Sequence, residues 1–298
     1  MTSTVDIYDT NPSGWVDPVV EARAYVYTWV TSYGEEGAPS PPTAETGNVG
    51  EPWRLTLTAP TGSDTTDRTL ATTRIYRTVT GSNGIATYFY IAEIPITQLE
   101  YVDITSDADA VDNNILQSTG WTPPPSDLAG MVSMPNGMIA GWRENELWFC
   151  EPYHPHAWPV AYTVTTDYPI VGLGVVNQTL VVCTTATPYS ATGVNPASVS
   201  LSKINASEPC MSRASIISTT MGVYYASPNG LIEVSQFGVK NVTEKMVTRD
   251  RWTSLLTLGT LRAARVGGAY YCWGSVRPGC FDASSFDNDA FELADFTG

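Results

Sequence analysis

The C-terminal half of the chain repeats one short pattern of polar and apolar positions. A turn-type residue precedes an alternating apolar segment at four places, which begin at Gly137, Gln178, Gly222 and Gly267, so the successive steps are 41, 44 and 45 residues. A period of about 40–50 residues in a strand-rich chain is typical of one β-propeller blade, a unit of four strands. Because one such unit cannot bury its hydrophobic face alone, the period predicts a stacked array.

The N-terminal part alternates apolar and polar positions with the period of a β-strand. A strand begins at Ala22 and places Tyr25, Tyr27 and Trp29 on one face. Further strands are predicted at 53–58, 73–79 and 87–93. The last two flank 81–84, a Gly-Ser-Asn-Gly hairpin loop. Strands at this spacing over about 100 residues predict a small β-sandwich.

A run of three prolines, 123–125, predicts the boundary between two domains, because proline denies a sheet its hydrogen-bond donors. Beyond it, strands are predicted at 146–150, 172–184, 221–226, 231–234 and 269–273. The predicted organisation is an extended arm (1–20), a sandwich (21–122), a β-propeller-like domain (123–281) and an acidic tail (282–298). The fold class is therefore all-β. Four repeats are fewer than most closed propellers contain, and a closed irregular ring and an open, partial propeller are both compatible with them.

The charge composition argues against nucleic acid as a tightly bound partner. With 15 basic and 30 acidic residues the formal net charge is −15, whereas tight nucleic-acid binding needs Lys and Arg to displace phosphate counterions. The first six residues contain neither a basic residue nor an apolar run, and no apolar stretch reaches 18 residues. We therefore expect no signal peptide and no membrane-spanning segment.

The five cysteines lie far apart in the sequence, at positions 150, 183, 210, 272 and 280. Cys150 and Cys183 lie in apolar, strand-like runs, as buried thiols do. An odd number of separated cysteines favours a disulfide-free protein that is made in the cytoplasm.

One short segment contains residues that bind metals in other proteins, namely Cys150, Glu151, His154 and His156. Prolines and aromatic residues flank both histidines, as in a packed loop, and the chain has no other histidine. The spacing matches known ligand sets only loosely. We therefore favour the packed loop and expect no metal.

Two acidic segments raise the alternative of a Ca²⁺ site. One contains Asp107, Asp109, Asp112 and Asn113, and the other contains Asp287, Asn288, Asp289 and Glu292. Neither has the complete twelve-residue loop with its central glycine, so solvated turns are favoured.

Motifs of catalysis are missing from the sequence. There is no nucleophile elbow, phosphate loop or dinucleotide fingerprint, and a Ser/His/Asp triad has only His154 and His156 to draw on. Thirty acidic residues offer too many pairs to single out the two carboxylates of a glycosidase. We expect a protein that is not an enzyme, with no catalytic residue and no cofactor.

Aromatic side chains are the remaining candidates for a binding role, and the chain contains 9 Trp, 16 Tyr and 7 Phe. Trp29, Trp148 and Trp273 occupy positions typical of core residues. Three other aromatic residues in or beside proline-rich segments are candidate interface residues, because aromatics are enriched at subunit interfaces: Trp121, Tyr153 and Trp158. For Trp121 and Trp158, burial is the alternative.

The N-terminal part resembles a fibronectin type III domain. Residues 25–30 (YVYTWV) and 34–40 (GEEGAPS) resemble its last two strands, and residues 74–77 (RIYR), 88–93 (YFYIAE) and 101–103 (YVD) resemble its middle strands. The closing strands come first in this chain, as in a permuted or interleaved sandwich.

The C-terminal part is similar to virion proteins of tailed bacteriophages. The matching stretches are 134–141 (MPNGMIAG), 146–153 (ELWFCEPY), 155–159 (PHAWP) and 226–231 (ASPNGL). They resemble the tail nozzle, or tail tubular protein, of short-tailed phages. That family implies a β-propeller-like body that assembles as a six-fold ring below the head–tail connector and forms part of the DNA channel. Nozzle proteins are usually much longer.

Two functional hypotheses follow. The first is a ring subunit of a phage tail, a homo-hexamer in the virion, which contacts connector or adaptor proteins and other tail proteins while genomic DNA passes without sequence-specific binding. The second is a carbohydrate-binding or carbohydrate-cleaving module used in host-surface recognition, which predicts a groove with two carboxylates or a Trp/Tyr platform. The resemblance favours the first, because a fold alone does not give a function.

Overall fold

The computed structural model describes residues 4–7, 20–48, 50–61, 68–79 and 87–275. Within these ranges the chain forms 21 strands, two short α-helices and four 3₁₀ turns. The paired strands are antiparallel throughout. The predicted all-β class is confirmed. Contacts divide the chain into two compact units, Met1–Thr122 and Pro123–Gly298, and the division falls at the first residue of the proline run.

Unit 1 contains two sheets, with strand orders β3-β2-β5-β6 and β1-β4-β7. Its elements are β1 (Thr4–Ile7), β2 (Val20–Thr31), β3 (Thr43–Asn48), β4 (Trp53–Thr56), β5 (Leu70–Thr78), β6 (Tyr88–Pro95), β7 (Glu100–Asp103) and the helix α1 (Asp107–Val111). Residues 4–7 pair with β4 in the three-stranded sheet. They therefore belong to unit 1 and not to a separate arm. The predicted hairpin loop 81–84 and the predicted acidic tail lie outside the described residues.

The core of unit 1 lies between these two sheets. Tyr25 and Tyr27 of β2 are 3% and 1% exposed, and Trp29 packs against the same cluster. Trp53 and Leu55 of β4 complete it from the other sheet. The face predicted from the alternation in β2 therefore contributes to this core, but the opposite face is buried as well, at Val26, Thr28 and Val30.

Unit 2 consists of four successive antiparallel sheets, here called sheets I to IV. Sheet I contains β8 (Gly130–Ser133), β9 (Ile139–Arg143), β10 (Glu146–Phe149) and β11 (Val164–Thr165); sheet II contains β12 (Ile170–Val176), β13 (Thr179–Thr184), β14 (Tyr189–Thr192) and β15 (Ser200–Lys203); sheet III contains β16 (Ile217–Ser218), β17 (Val223–Ser227), β18 (Gly230–Ser235) and β19 (Gly238–Asn241); sheet IV contains β20 (Arg262–Val266) and β21 (Ala269–Trp273). The connections include α2 (Arg249–Leu255) and 3₁₀ turns at Val160–Tyr162, Pro196–Ser198, Arg213–Ser215 and Leu258–Thr260.

The repeat seen in the sequence corresponds to equivalent positions in these sheets. Gly137, Gln178, Gly222 and Gly267 all lie in the turn that precedes the second strand of a sheet. The predicted strand 172–184 is instead two strands. Asn177, at φ 53°, reverses the chain between them, because asparagine tolerates the left-handed region that a tight turn requires.

The sheets of unit 2 stack through strands that are buried on both faces. In β13, Leu180 and Val182 pack against sheet I, whereas Val181 and Cys183 pack against sheet III. In β17, Tyr225 faces sheet II, and Tyr224 packs with α2 and sheet IV. An array of this kind forms one continuous core from units that have no separate core.

The first strands of the sheets lie next to one another, since β12 contacts both β8 and β16, and β16 contacts β20. Gly174 of β12 permits a close approach of sheet II to β17 of sheet III, because a Cβ atom there would overlap a methyl group of Val223. At the far end of the array, Trp273 of β21 is 54% exposed. The core position predicted for Trp273 is therefore wrong, whereas Trp148 is buried as predicted.

Candidate functional site

The connection between β10 and β11 carries most of the side chains selected from the sequence. Trp158 is 1% exposed and packs with Trp148, Cys150 and Leu128 on the outer face of sheet I. Its indole N–H donates to the carbonyl of Pro155 at 2.8 Å. Of the two alternatives for Trp158, the structure selects burial, and the side chain is not available to a partner.

Tyr153 lies on the surface of the same connection and is 78% exposed. Its backbone adopts φ 63°, and its N–H donates to the carbonyl of Gly137 at 2.9 Å. A Cβ atom at Gly137 would come within 2.6 Å of the tyrosine ring. The ring is thus held over the β8–β9 turn and faces solvent, so Tyr153 stays a candidate interface residue.

Trp121, the third candidate, is half-buried at the end of unit 1, where its backbone N–H donates to the carbonyl of Ser118 at 3.0 Å. Partial burial of Trp121 does not decide between an interface residue and a buried one, so both alternatives remain predictions.

The residues considered for a metal have other partners in the structure. Cys150 is fully buried, and its Sγ accepts a hydrogen bond from the backbone N–H of Ile139 at 3.0 Å. Burial raises the pKa of this thiol, which disfavours the thiolate that a metal needs. Glu151 accepts a hydrogen bond from the hydroxyl of Tyr162 at 2.8 Å. Across the described ranges, no group of three or more His, Cys, Asp and Glu side chains is placed to hold a metal ion.

The two histidines of this loop contact each other. The ring centroids of His154 and His156 are 5.9 Å apart in an edge-to-face arrangement. Nδ1 of His154 lies 2.8 Å from the carbonyl of Pro152. Because a carbonyl only accepts, Nδ1 carries the proton in this contact. The loop is packed through its own side chains, as the sequence predicted.

The first acidic segment, predicted as a solvated turn, folds instead as the helix α1. Ser106 caps its N-terminus by accepting a hydrogen bond from the N–H of Asp109 at 3.1 Å. Asp107 does not remain free in solvent, because its carboxylate lies 2.6 Å from Nη1 of Arg77. The second acidic segment lies outside the described residues.

Unit 1 contains a buried cluster of charged side chains that was not predicted from the sequence. The side chains of Arg77 and Asp103 are 0% exposed, and Nε lies 3.0 Å from Oδ2, without the alignment of a hydrogen bond. Asp103 also accepts from the hydroxyl of Tyr25 at 2.8 Å, and Arg23 reaches the same carboxylate at 3.8 Å. Burial, followed by the charge of Asp103, raises the pKa of Tyr25. The only sequence signal was an arginine and an aspartate inside apolar strands.

A cleft of about 570 Å³ opens between sheets II and III. Its lining is apolar at Val176, Val181, Ile204 and Val234, and polar but uncharged at Asn177, Gln178, Thr179, Ser190, Thr192, Ser235 and Gln236, with Gly238 at the edge. The side-chain amides of Asn177, Gln178 and Gln236 form no hydrogen bond with another described residue. The cleft therefore offers free, uncharged donors and acceptors beside aliphatic surface.

Compared with known protein families and with curated protein sequences, the chain matches none. Among the described residues, no helix is both long enough and apolar enough to cross a membrane. Any assignment of function therefore depends on the architecture and surface described above.

Proposed function

We propose that this protein is a ring subunit of a bacteriophage tail, located in the virion below the head–tail connector. In this proposal unit 2 is a partial β-propeller and unit 1 is a fibronectin III-like sandwich. The observation that carries the proposal is the stack of sheets I to IV, in which the predicted repeat recurs at the start of each second strand. Such a body is what the resemblance to tail nozzle proteins implies.

The mechanism of such a subunit is physical. In a ring of cyclic symmetry each contact is heterologous, so one flank of a subunit fits the opposite flank of the next. Exposed aromatic side chains such as Tyr153 supply apolar contact area. The net charge of −15 keeps DNA from adhering to the ring as it passes, because like charges repel. The proposal includes no chemical step.

Mass photometry of the purified chain tests this proposal, first alone and then with the connector complex of the same virion. The expected result is a discrete ring of about six copies on the connector, about 190 kDa of this 32.2 kDa chain. A chain that stays monomeric in both samples would contradict the proposal.

The cleft between sheets II and III supports a second candidate, a neutral carbohydrate-binding module. Its uncharged amides and hydroxyls match sugar hydroxyls, and its volume lies within the roughly 300–1,000 Å³ of ligand pockets. Its described lining contains neither of the features that this hypothesis predicts, two carboxylates or a Trp/Tyr platform. Without carboxylates the cleft does not support cleavage, and binding there depends on the amides and hydroxyls alone. On a glycan array, we expect wild-type binding that is lost in Gln178→Ala/Gln236→Ala. An array without any bound glycan would rule the module out.

A further inference from the structure

The formal charge of unit 2 changes sign from one end of its stack of sheets to the other. The segment that leads to and forms sheet I, residues 123–165, contains four acidic residues and one basic residue. The segment that leads to and forms sheet IV, residues 242–275, contains two acidic and five basic residues. Residues 166–241, between them, contain three of each. The sheet I end therefore has a formal charge of −3 and the sheet IV end one of +3.

The charges at both ends are presented to solvent. At the sheet IV end all five basic side chains are exposed: Lys245, Arg249, Arg251, Arg262 and Arg265. In the described part of unit 2, only Arg143 and Lys203 are the basic partners of ion pairs. At the sheet I end, Arg143 pairs with Asp127 and Glu146, whereas Glu144 is exposed. The excess charge of each end is thus available to a partner.

Sheet IV has one face that no described sheet covers. Directly opposite residues of an antiparallel pair lie on the same face. Ala263 and Cys272 pair on the face that packs against sheet III. Arg262 and Trp273 pair on the other face, which also contains Val266 and is here called the sheet IV face. Trp273 is 54% exposed and Val266 is 63% exposed, so this face is largely apolar with an arginine beside the tryptophan.

The outer face of sheet I, here called the sheet I face, combines carboxylates with exposed apolar surface. Met131 of β8 pairs with Gly141 of β9, and a Cβ atom at Gly141 would contact Trp158, which packs on this face. Met131 therefore lies on the same face, where it is 61% exposed. Trp148 packs there as well, and its indole N–H donates to the carboxylate of Glu146 at 3.0 Å.

We infer that the sheet IV face binds the sheet I face of a second copy of this chain. Within unit 2, sheets I to IV cover one another through shared apolar clusters, so a further sheet is the cover that continues the stack. The first strands already contact one another from β8 through β12 and β16 to β20. Placing β20 of one copy against β8 of the next extends this row.

Charge selects the same arrangement. The end with a formal charge of +3 meets the end with a formal charge of −3, and such complementarity fixes the partner and its orientation. Two identical ends placed together would instead bring like charges into contact. Aromatic residues, Met and Arg are enriched in protein interfaces, and Trp273, Met131 and Arg262 supply them here.

The inferred contact is heterologous, because two different faces meet and each copy keeps one of each for its neighbours. Contacts of this kind form a closed ring when the rotation between copies closes. The inference rests on the proposed function and deepens it, because it assigns the contact between ring subunits to two faces of unit 2.

Sedimentation velocity of the full chain over a series of concentrations tests the inference. Wild-type protein self-associates. Trp273→Glu weakens the association by about tenfold or more, because the new carboxylate meets the acidic end of the next copy. Met131→Lys has the same effect for the converse reason, since the new cation meets the basic end.

A mixture of these two variants separates a heterologous contact from a face that binds itself. The Trp273→Glu chain keeps an intact sheet I face, and the Met131→Lys chain keeps an intact sheet IV face. Mixed in equal amounts, they form a species of two chains and nothing larger, with a dissociation constant within about twofold of wild type. A face that binds itself would not be restored by mixing.

Phe237→Glu and Phe237→Lys are the matched controls, since Phe237 lies between β18 and β19 of sheet III and is 85% exposed. Both leave the dissociation constant within about twofold of wild type. The uncharged variants Trp273→Ser and Met131→Ser remove apolar contacts without adding charge, and they weaken the association even if a charged variant fails to fold. Circular dichroism verifies the folding of each variant.

Four results would overturn the inference. They are wild-type protein that is monomeric at every concentration, a mixture that does not associate, controls that dissociate as much as the Trp273 and Met131 variants, and association that Trp273→Glu leaves unchanged. In the last case another occupant, such as residues 276–298 of the same chain, covers the sheet IV face.

The outcomes separate this inference from the proposed function. Trp273 and Met131 variants that assemble on the connector as well as wild type leave the function standing and overturn the inference. Self-association that depends on both faces, without any binding to the connector, supports the inference and overturns the function.

Discussion

The two units bury different kinds of polar side chain. In unit 1 the core contains Arg23, Arg77 and Asp103, which are 5%, 0% and 0% exposed. In the described part of unit 2, the buried polar side chains are hydroxyls of serine and threonine. Unit 1 therefore depends on pairing specific charges, whereas unit 2 depends on stacking apolar faces.

Most of the buried hydroxyls of unit 2 donate to backbone carbonyls, while Ser227 donates to the carboxylate of Glu208 and Thr243 to the side-chain oxygen of Asn241. Ser212 donates to the carbonyl of Leu261 at 2.6 Å, and Ser215 donates to the carbonyl of Ser212 at 2.7 Å. A buried hydroxyl with a partner costs little, whereas a buried charge that loses its partner costs several kcal/mol. The comparison teaches that unit 1 has single residues on which its stability depends, while unit 2 distributes its stability over repeats.

The largest effect is expected for Asp103→Ala. The substitution removes the buried carboxylate that lies 3.0 Å from Arg77 and leaves Asp107, at 2.6 Å, as the carboxylate that still pairs with the guanidinium. Unit 1 therefore loses up to about 3–5 kcal/mol of unfolding free energy. Pulse proteolysis in urea, with the cleaved peptides identified by mass spectrometry, measures each unit separately. Asp127→Ala is the control, since its pair with Arg143 is exposed and contributes at most about 1 kcal/mol. Equal losses in the two variants would break the comparison.

The matching substitution in unit 2 is Leu180→Ala. Leu180 is 0% exposed in the cluster between sheets I and II, and its truncation costs about 2–5 kcal/mol through lost transfer energy and the cavity left behind. In the same proteolysis measurement, peptides of unit 2 should become sensitive at lower urea. The exposed Val194→Ala should change stability by less than about 0.5 kcal/mol. A Leu180 variant as stable as Val194→Ala would contradict the stacked core.

Gly174→Ala tests the close approach of β12 in sheet II to β17 in sheet III. The added Cβ overlaps Val223, and overpacking of this kind costs about 1–3 kcal/mol. The double variant Gly174→Ala/Val223→Ala makes room for the new methyl group. We expect the cost of the glycine substitution to be smaller in the Val223→Ala background, as measured by a double-mutant cycle in urea. A cost unchanged in that background would show that Val223 is not the obstacle.

The pH dependence of stability at alkaline pH compares the two units through one buried tyrosine of each, Tyr25 in unit 1 and Tyr225 in unit 2. Burial, and then the neighbouring Cys183, Cys210 and Glu208, raise the pKa of Tyr225. The unfolded state releases the phenolic proton near pH 10 and the folded state keeps it. Stability is therefore complete below about pH 10 and falls by about 1.4 kcal/mol per pH unit above it for each such tyrosine.

Tyr225→Phe should remove one such contribution from unit 2, and Tyr25→Phe should remove one from unit 1. Urea unfolding at several pH values above 10, followed by proteolysis of each unit, measures the two slopes. A slope unchanged by either substitution would mean that the tyrosine ionises in the folded state.

Local patterns were read correctly where they depend on neighbours in the sequence. The alternation at Tyr25, Tyr27 and Trp29 predicted a strand, and these side chains contribute to the core of unit 1. The repeat predicted successive units, and its turn residues lie before the second strand of each of sheets I to IV. The prediction for Trp273 was wrong, since this side chain of β21 is 54% exposed.

Among the candidate site residues, too, some outcomes followed from the local sequence and others depended on distant segments. The packing of the His154–His156 loop followed from its own prolines and aromatics. The burial of Trp158 did not follow from the local sequence. A loop has no fixed periodicity that shows which side chains are buried, and Leu128, which packs against Trp158, belongs to an earlier segment. The interface prediction for Tyr153 is consistent with its exposure and stays to be tested.

The sequence by itself determined the all-β class and the repeat of 41 to 45 residues. These depend on side-chain alternation and turn residues, which act over a few positions. Only the tertiary structure decided which charges of unit 1 meet and which segments of unit 2 line one cleft. The pairing of Arg77 with Asp103 joins different sheets, and the cleft joins sheets II and III. Both depend on the packing of segments far apart in the chain, which a local pattern does not specify.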